Sequence, residues 1–238
     1  MGIDQLNRPL SNVIKRIAAH LPTRWQHLLR RARSRALIRR GEFHADEPEF
    51  DRLPEWLKPG DWALDIGANA GTYTIAMSGL VGEQGRVIAL EPIPETFSIL
   101  ISNLDVAASR NVTAINAAAS DQTALSQMDV PRFDSGLENF YMARLSSGAS
   151  EPRDRAQHVL TLAIDSLNLP AAVALVKIDV EGHEEPAVTG MWNLIQRDHP
   201  VMILETSSQP LEDKLLNLGY RQQQAPGSPN RVYVFDGA

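Results

Sequence analysis

Leu175-Val-Lys-Ile-Asp-Val-Glu-Gly-His-Glu184 decides how this chain is read. An apolar run ends in four ionisable side chains, Asp179, Glu181, His183 and Glu184, gathered around one glycine. A strand buried on both faces of a parallel sheet reads as such a run, and open α/β sheets bind ligands beyond the carboxyl ends of their strands. The segment is therefore predicted to be a strand with a site at its tip. A second run of the same design stands upstream, Asp61-Trp-Ala-Leu-Asp-Ile-Gly-Ala-Asn-Ala-Gly-Thr-Tyr-Thr74. Two loaded tips in one sheet imply an enzyme.

Working outward, apolar segments alternate as strand and helix: Trp62 to Ile66, a helix from about Ala70, Arg86 to Leu90, a helix from Pro94, then Val112 to Asn116. That rhythm predicts right-handed βαβ units and a parallel sheet. Asp121 to Gln157 interrupts it with Pro131, Gly136, Gly148 and Pro152, an insertion of hairpin or loop character. The alternation resumes at Ala174 to Asp179, with a helix from Glu184 to about Gln196, a strand Val201 to Glu205 and a helix from Pro210. Tyr220 to Gln224 and Arg231 to Phe235 flank Ala-Pro-Gly-Ser-Pro-Asn as an antiparallel hairpin.

The 238 residues and 43% hydrophobic content suit one α/β domain with a short extension. Cysteine is absent, which excludes a disulfide scaffold, a thiolate zinc site and a cysteine nucleophile, and fits a cytoplasmic protein. No apolar stretch reaches the length of a membrane span. The net charge of -6 hides an asymmetry: residues 1–40 hold 10 Lys+Arg against one acid, leaving 13 basic and 28 acidic residues beyond them. The expected organisation is a basic amphipathic helical arm, residues 1–45, on an acidic catalytic domain, residues 46–238. Leu10, Ile14, Ile17 and Leu21 suggest one helix of the arm; Trp25, Leu28, Leu29, Ala32 and Ala36 suggest another, after a Thr23 cap. Three readings fit the arm: a lid, a peripheral contact with an anionic membrane, or a targeting segment. We favour a cap that also touches membrane. Nucleic acid is not an expected partner, because the acidic domain would repel phosphates. Every cofactor residue proposed below lies beyond Asp61, so the arm is expected to be dispensable for cofactor binding.

Gly67-Ala-Asn-Ala-Gly71 leads from strand to helix without the three glycines of a dinucleotide fingerprint, which counts against a nicotinamide oxidoreductase. What remains is a tight turn with Asp65 before it and Asn69, Thr72, Tyr73 and Thr74 around it, suited to a zwitterion and a sulfonium. Glu91 closes the second strand, where a carboxylate can accept bonds from two ribose hydroxyls. Both features describe a nucleoside without phosphates, and S-adenosylmethionine is such a ligand.

Asp65-Ile-Gly-Ala-Asn-Ala-Gly-Thr-Tyr-Thr74, Leu90-Glu-Pro92, Asn116-Ala-Ala-Ala-Ser-Asp121 and Lys177-Ile-Asp-Val-Glu-Gly-His-Glu184, in that order, resemble the FkbM family of S-adenosylmethionine-dependent methyltransferases. The resemblance covers roughly Glu55 to Phe235. It implies a Rossmann-like, seven-stranded, mostly parallel sheet with helices on both faces and a C-terminal antiparallel hairpin. It also implies that Asp65, Gly67 and Gly71 hold the methionine end, that Glu91 holds the ribose, and that the Asn116 to Asp121 turn, with Ala117, lies near adenine. Asp179 is placed in both the cofactor and the catalytic set.

Methyl transfer to a hydroxyl needs the acceptor positioned in line and relieved of its proton. His183, with an ordinary pKa near neutrality, is the natural base, and Asp179 or Glu181 could orient it or the acceptor. A rival reading has Asp179, Glu181 and Glu205 as oxygen ligands for magnesium; no metal is expected. Asp134-Ser-Gly-Leu-Glu-Asn-Phe-Tyr141 and Arg144 suit a sugar, with Asn139, Tyr141 and Arg144 as the acceptor-binding candidates. The expectation is an O-methyltransferase for a sugar hydroxyl of a glycan, glycolipid or glycosylated metabolite. A polyketide hydroxyl, an amine or amide acceptor, or a non-catalytic binding protein on the same fold are the alternatives.

Overall fold

The computed structural model describes residues 23–130, 144–145, 155–205, 207–224 and 227–237. In chain order the elements are α1 (Thr23–Arg40), α2 (Leu53–Trp56), β1 (Trp62–Ile66), α3 (Thr72–Val81), β2 (Arg86–Leu90), α4 (Pro94–Val106), β3 (Val112–Ile115), β4 (Ala118–Ala119), β5 (Ala124–Val130), β6 (Arg144–Leu145) and β7 (Arg155–Leu162). After a 3-10 turn at Ile164–Leu167 come β8 (Val173–Ile178), α5 (Glu184–Thr189), α6 (Trp192–Asp198), β9 (Val201–Leu204), α7 (Gln209–Leu218), β10 (Tyr220–Gln224) and β11 (Arg231–Phe235).

Seven strands form one sheet in the order β10-β11-β9-β8-β1-β2-β3. β11 runs antiparallel to both neighbours, and β9, β8, β1, β2 and β3 are parallel. The chain starts in the middle at β1, moves outward to β3, then returns to the other side of β1 as β8. That reversal makes the junction of β1 and β8 the switch point, where the connections diverge and leave a crevice. Register fixes what borders it. Ile66 pairs with Leu90 and with Ile178, and Ile178 pairs with Leu204, so the next residues, Gly67, Glu91, Asp179 and Glu205, stand along one edge.

Strand alternation decides which side chains share a face. Leu64, Ile66, Val176 and Ile178 pack with Ala187, Val188, Met191 and Ile195 of the α5–α6 layer. Ala63, Val87 and Leu175 face the opposite way, toward Tyr73, Met77 and Val81 of α3 and toward Phe50 and Leu53. By the same period of two, Asp65 and Lys177 belong to the α3 face. A carboxylate and an ammonium are thereby placed side by side in adjacent strands, where Asp65 pairs with Lys177 in register.

The structure adds detail to three elements of the sequence expectation. The predicted helix over Glu184 to Gln196 is two helices separated at Gly190 and Met191, and residue 190 must be glycine because a Cβ there would lie 1.8 Å from the backbone oxygen of Ser120. The connection 41–60 contains the short α2, whose Leu53 is buried. The insertion supplies a second sheet, β4-β7-β5-β6, in which β5 pairs antiparallel with β7 from Ala124↔Thr161 to Val130↔Arg155. The predicted helix over Leu10 to Leu21 lies outside the described residues. Among those described, no helix is long and apolar enough to cross a membrane.

Candidate active site

The site grows from the turn after β1. The amides of Gly67 and Ala68 both donate to the Leu90 carbonyl, at 2.9 and 2.8 Å, while the Asp179 amide donates to the Ile66 carbonyl at 2.9 Å. Three strand tips are thus tied at one point. Gly67 has φ +81°, and a Cβ there would meet the Asp179 backbone oxygen at 1.8 Å, so only glycine permits this approach. Asn69 also adopts the left-handed region, φ +50°, which aims its amide at Glu91.

Glu91 is 5% exposed. Its Oε2 accepts from the Asn69 amide at 3.0 Å and its Oε1 from the Ile93 amide at 2.9 Å. Burial pushes its carboxyl up to about 7, against the lowering effect of those two bonds. Each oxygen retains a lone pair for a further donor, as two ribose hydroxyls would require. Glu91 lines a cleft of about 850 Å³, open to solvent, together with Gly67, Asn69, Ala117, Met128 and His183.

A second cleft, about 1040 Å³, opens on the α3 side of the same turn and shares Gly67, Asn69 and Asp179 with the first. Asp65, Thr72, Tyr73 and Lys177 line one part of it, and Arg30 and Arg33 of α1 another. Asp65 is 1% exposed; Thr74 Oγ1 donates to its Oδ2, while its Oδ1 is buried without a hydrogen-bond partner among the described residues. Burial raises the Asp65 pKa, opposed by the Lys177 ammonium. An orphaned buried acceptor carries a cost of about 1–3 kcal/mol that a donor ligand would relieve. Arginines in the same lining give the cleft both signs of charge, which fits the ammonium and carboxylate of an amino-acid moiety. Together the two clefts suit S-adenosylmethionine, with ribose at Glu91 and the methionine end at Asp65.

The structure places part of the arm, expected to be dispensable for cofactor binding, beside these clefts. α1 packs on α4, with Arg31 Nε donating to Ser102 Oγ at 2.7 Å, and its Arg30 is close enough to Glu91 to lower that residue's pKa. Part of the basic segment is therefore a wall of the second cleft.

At the tip of β8, Lys177 Nζ donates to Asp179 Oδ2 at 2.8 Å and lies 4.8 Å from the centre of the Tyr73 ring. Burial works against ionisation of Asp179, but the Lys177 ammonium and hydrogen bonds from Lys177 and Glu205 hold its pKa below the ordinary carboxylate range. Glu205 is driven the other way, up to about 8, first by burial and then by its bond to Asp179. The opposite shifts favour a proton on Glu205 over two charged carboxylates side by side. Asp179, Glu181 and Glu205 each bring an oxygen within 4.8 Å of the others. Acidic clustering alone does not identify an ion. Glu181 has φ +51°, a strained conformation for a residue with a side chain, of the kind that collects at functional sites.

His183 occupies the cap position of α5 without a side-chain capping bond. Its ring is used elsewhere: Nε2 lies 3.1 Å from Ser120 Oγ. Burial lowers its pKa from 6.5, opposed by Asp121 and Glu184, which favours the neutral imidazole that a base must be.

The structure thus brings Asp65, Gly67, Asn69, Thr72, Tyr73, Glu91, Ala117, Asp179, Glu181 and His183 to the two clefts. Gly71 and Asn116 are not among the lining residues. Gly71 starts α3, where a Cβ would crowd Leu100 Cδ1 at 2.6 Å, and the exposed Asn116 donates to the carbonyls of Glu91 and Pro92, bracing the turn that carries the acid. Asn139 and Tyr141 lie outside the described residues; Arg144 is in β6, paired with Asp129 in register. Sequence reasoning gave no role to Lys177, Ser120, Arg30 or Arg33. A lysine inside the apolar run of β8 was the available clue, since a buried ammonium needs a partner.

A family model described as the methyltransferase FkbM domain matches residues 65–222. A structure of an FkbM methyltransferase from Methylobacillus flagellatus superposes with a TM-score of 0.54 at 16% identity, covering 87% of this chain and 60% of that one, a likeness of fold. Among curated relatives, the hexuronic acid methyltransferase AglP of Haloferax volcanii is 28% identical over 154 residues, 63% of this chain and 58% of that protein. A wheat (Triticum aestivum) protein-L-isoaspartate O-methyltransferase is 39% identical over 70 residues, 29% of this chain and 27% of that protein. The matched stretches thus span less than two thirds of these relatives' length. With the family model covering the turn after β1, Glu91 and the tip of β8, the chain belongs to the FkbM family of S-adenosylmethionine-dependent methyltransferases.

Proposed function

We propose that the protein methylates a sugar hydroxyl of a glycan, glycolipid or glycosylated metabolite. The observation that carries this reading is a first cleft lined by the buried Glu91 carboxylate and by His183, whose pKa burial lowers, which shares Gly67, Asn69 and Asp179 with a second cleft lined by charges of both signs. S-adenosylmethionine supplies an electrophilic methyl group on a sulfonium when bound. Glu91 holds ribose hydroxyls, and Asp65 Oδ1 with the arginines of α1 holds the amino and carboxylate groups. His183 takes the acceptor's proton, and Asp179, fixed by Lys177, and Glu181 hydrogen-bond the acceptor. A carboxylate-rich opening suits a polyhydroxylated acceptor, and the similarity to AglP over 63% of the chain supports a sugar.

The basic segment is assigned a second contact, with an anionic membrane surface where glycolipid acceptors reside. Trp25, Leu28 and Leu29 of α1 are exposed, and this helix carries seven arginines and no acid. Basic residues near such a surface contribute about 1 kcal/mol each.

Titration calorimetry with S-adenosylmethionine and with NAD tests the cofactor assignment, and labelled-methyl transfer to uronic acid, neutral sugar, polyketide and amine acceptors tests the substrate class. Mass spectrometry of glycans from cells lacking the protein identifies the acceptor. Transfer to amines or polyketides with none to sugars would overturn the sugar reading.

A further inference from the structure

The segment that lines the first cleft at Ala117, Ala118 and Ala119 continues into Ser120 and Asp121, which reach the back of His183. Ser120 is 6% exposed. Its amide donates to the Leu162 carbonyl at 3.0 Å, and Gly190 presses on its own carbonyl so closely that no side chain fits there. The hydroxyl is therefore fixed in place, 3.1 Å from His183 Nε2 and 3.1 Å from Asp121 Oδ1.

A serine hydroxyl has one proton to give, and a carboxylate can only accept. Ser120 therefore donates to Asp121 and turns a lone pair toward His183, so Nε2 must carry the hydrogen of that contact. In a neutral imidazole with hydrogen on Nε2, the free lone pair is on Nδ1. We infer that Ser120 and Asp121 set the tautomer of His183, so that Nδ1 is the nitrogen that receives the acceptor's proton. The inference rests on the reading of His183 as the base. In the step it serves, the acceptor's O–H bond breaks, its electrons form the new O–CH3 bond, the proton passes to Nδ1, and the methyl–sulfur pair stays on sulfur as a neutral thioether. One positive charge leaves the sulfonium and one appears on the imidazolium. Nε2–H keeps its bond to Ser120 throughout, and the Asp121 carboxylate beside it offsets the new charge. Glu184 acts on the ring from its own helix, and Asp179, Glu181 and Glu205 line the cleft with it. Ser120 and Asp121 are positioning residues.

The test is nitrogen NMR of the full chain labelled at histidine, with the His183 resonances assigned from their loss in His183→Gln. The expected wild-type spectrum shows a protonated Nε2 and a bare Nδ1; a protonated Nδ1 in the neutral ring would overturn the inference. Ser120→Ala should give mixed tautomers and lower kcat by roughly one to two orders of magnitude with KM for S-adenosylmethionine unchanged, and Ser120→Thr should restore both. A Ser120→Ala protein that keeps the wild-type tautomer would overturn the inference as well. If Ser120→Ala does not fold, the wild-type spectrum decides alone. Turnover that survives in His183→Gln, with the expected tautomer present, would sink the base reading instead, so the two failures are distinguishable.

Discussion

Replacing Glu91 with glutamine should weaken cofactor binding and, above neutral pH, stabilise the fold. The carboxyl is held at about 7 against an ordinary 4.5, so the folded state binds its proton more tightly than the unfolded chain does. The sign follows: its contribution to stability is complete below pH 4.5 and is lost as pH rises through about 7. The difference between those two values corresponds to about 3 kcal/mol of penalty for the ionised form at pH 8. Glutamine cannot ionise and escapes that penalty, although its amide matches the amides of Asn69 and Ile93 less well. Comparing wild type with Glu91→Gln by urea unfolding at pH 5 and pH 8 cancels the mismatch and isolates the ionisation, with the variant gaining up to about 3 kcal/mol between the two. Ribose hydroxyls need the ionised acid as acceptor. Wild-type affinity for S-adenosylmethionine should therefore fall roughly tenfold from pH 8 to pH 6, and the variant should lose about 1.5–3 kcal/mol of binding at pH 8. Calorimetric affinity independent of pH, together with equal stability differences at both pH values, would refute the reasoning.

His183→Ala should lower turnover by about two or more orders of magnitude with cofactor affinity nearly unchanged, read by steady-state kinetics and calorimetry; an active variant that a chelator silences would replace the base with a metal at Asp179, Glu181 and Glu205. Gly67→Ala should lower the melting temperature as well as cofactor affinity, because the added carbon meets the Asp179 backbone rather than a movable side chain; calorimetric scanning that shows no loss of stability would count against the turn geometry. Deleting residues 1–40 should cost roughly tenfold or more in cofactor affinity, since Arg30 and Arg33 line the second cleft. The same truncation should abolish salt-sensitive co-sedimentation with anionic vesicles, and equal sedimentation of both forms would remove the membrane contact.

What the sequence determined by itself was the order of elements and the chemistry at the strand ends. Apolar runs alternating with helical segments specify a parallel sheet because each strand must be buried on both faces, and a charged residue closing such a run can only sit at its tip. Glu91 and Asp179 were legible for that reason, Asp65 as a charge inside such a run and His183 from its place shortly beyond one. Only the tertiary structure decided which of them share a cleft, since register across β2, β1, β8 and β9 sets Gly67, Glu91, Asp179 and Glu205 side by side and strand parity turns Asp65 and Lys177 to the α3 face. Arg30, Arg33 and Ser120, left without a role, share one property: each acts through a neighbour distant in sequence, whereas Lys177 bonds Asp179 two positions away. Arg30 and Arg33 reach the cleft because α1 packs on α4, and Ser120 meets His183 because Gly190 lets two backbones approach. Local pattern carries propensity and burial, whereas contacts between residues 63 positions apart depend on how the layers pack, and packing belongs to the whole fold.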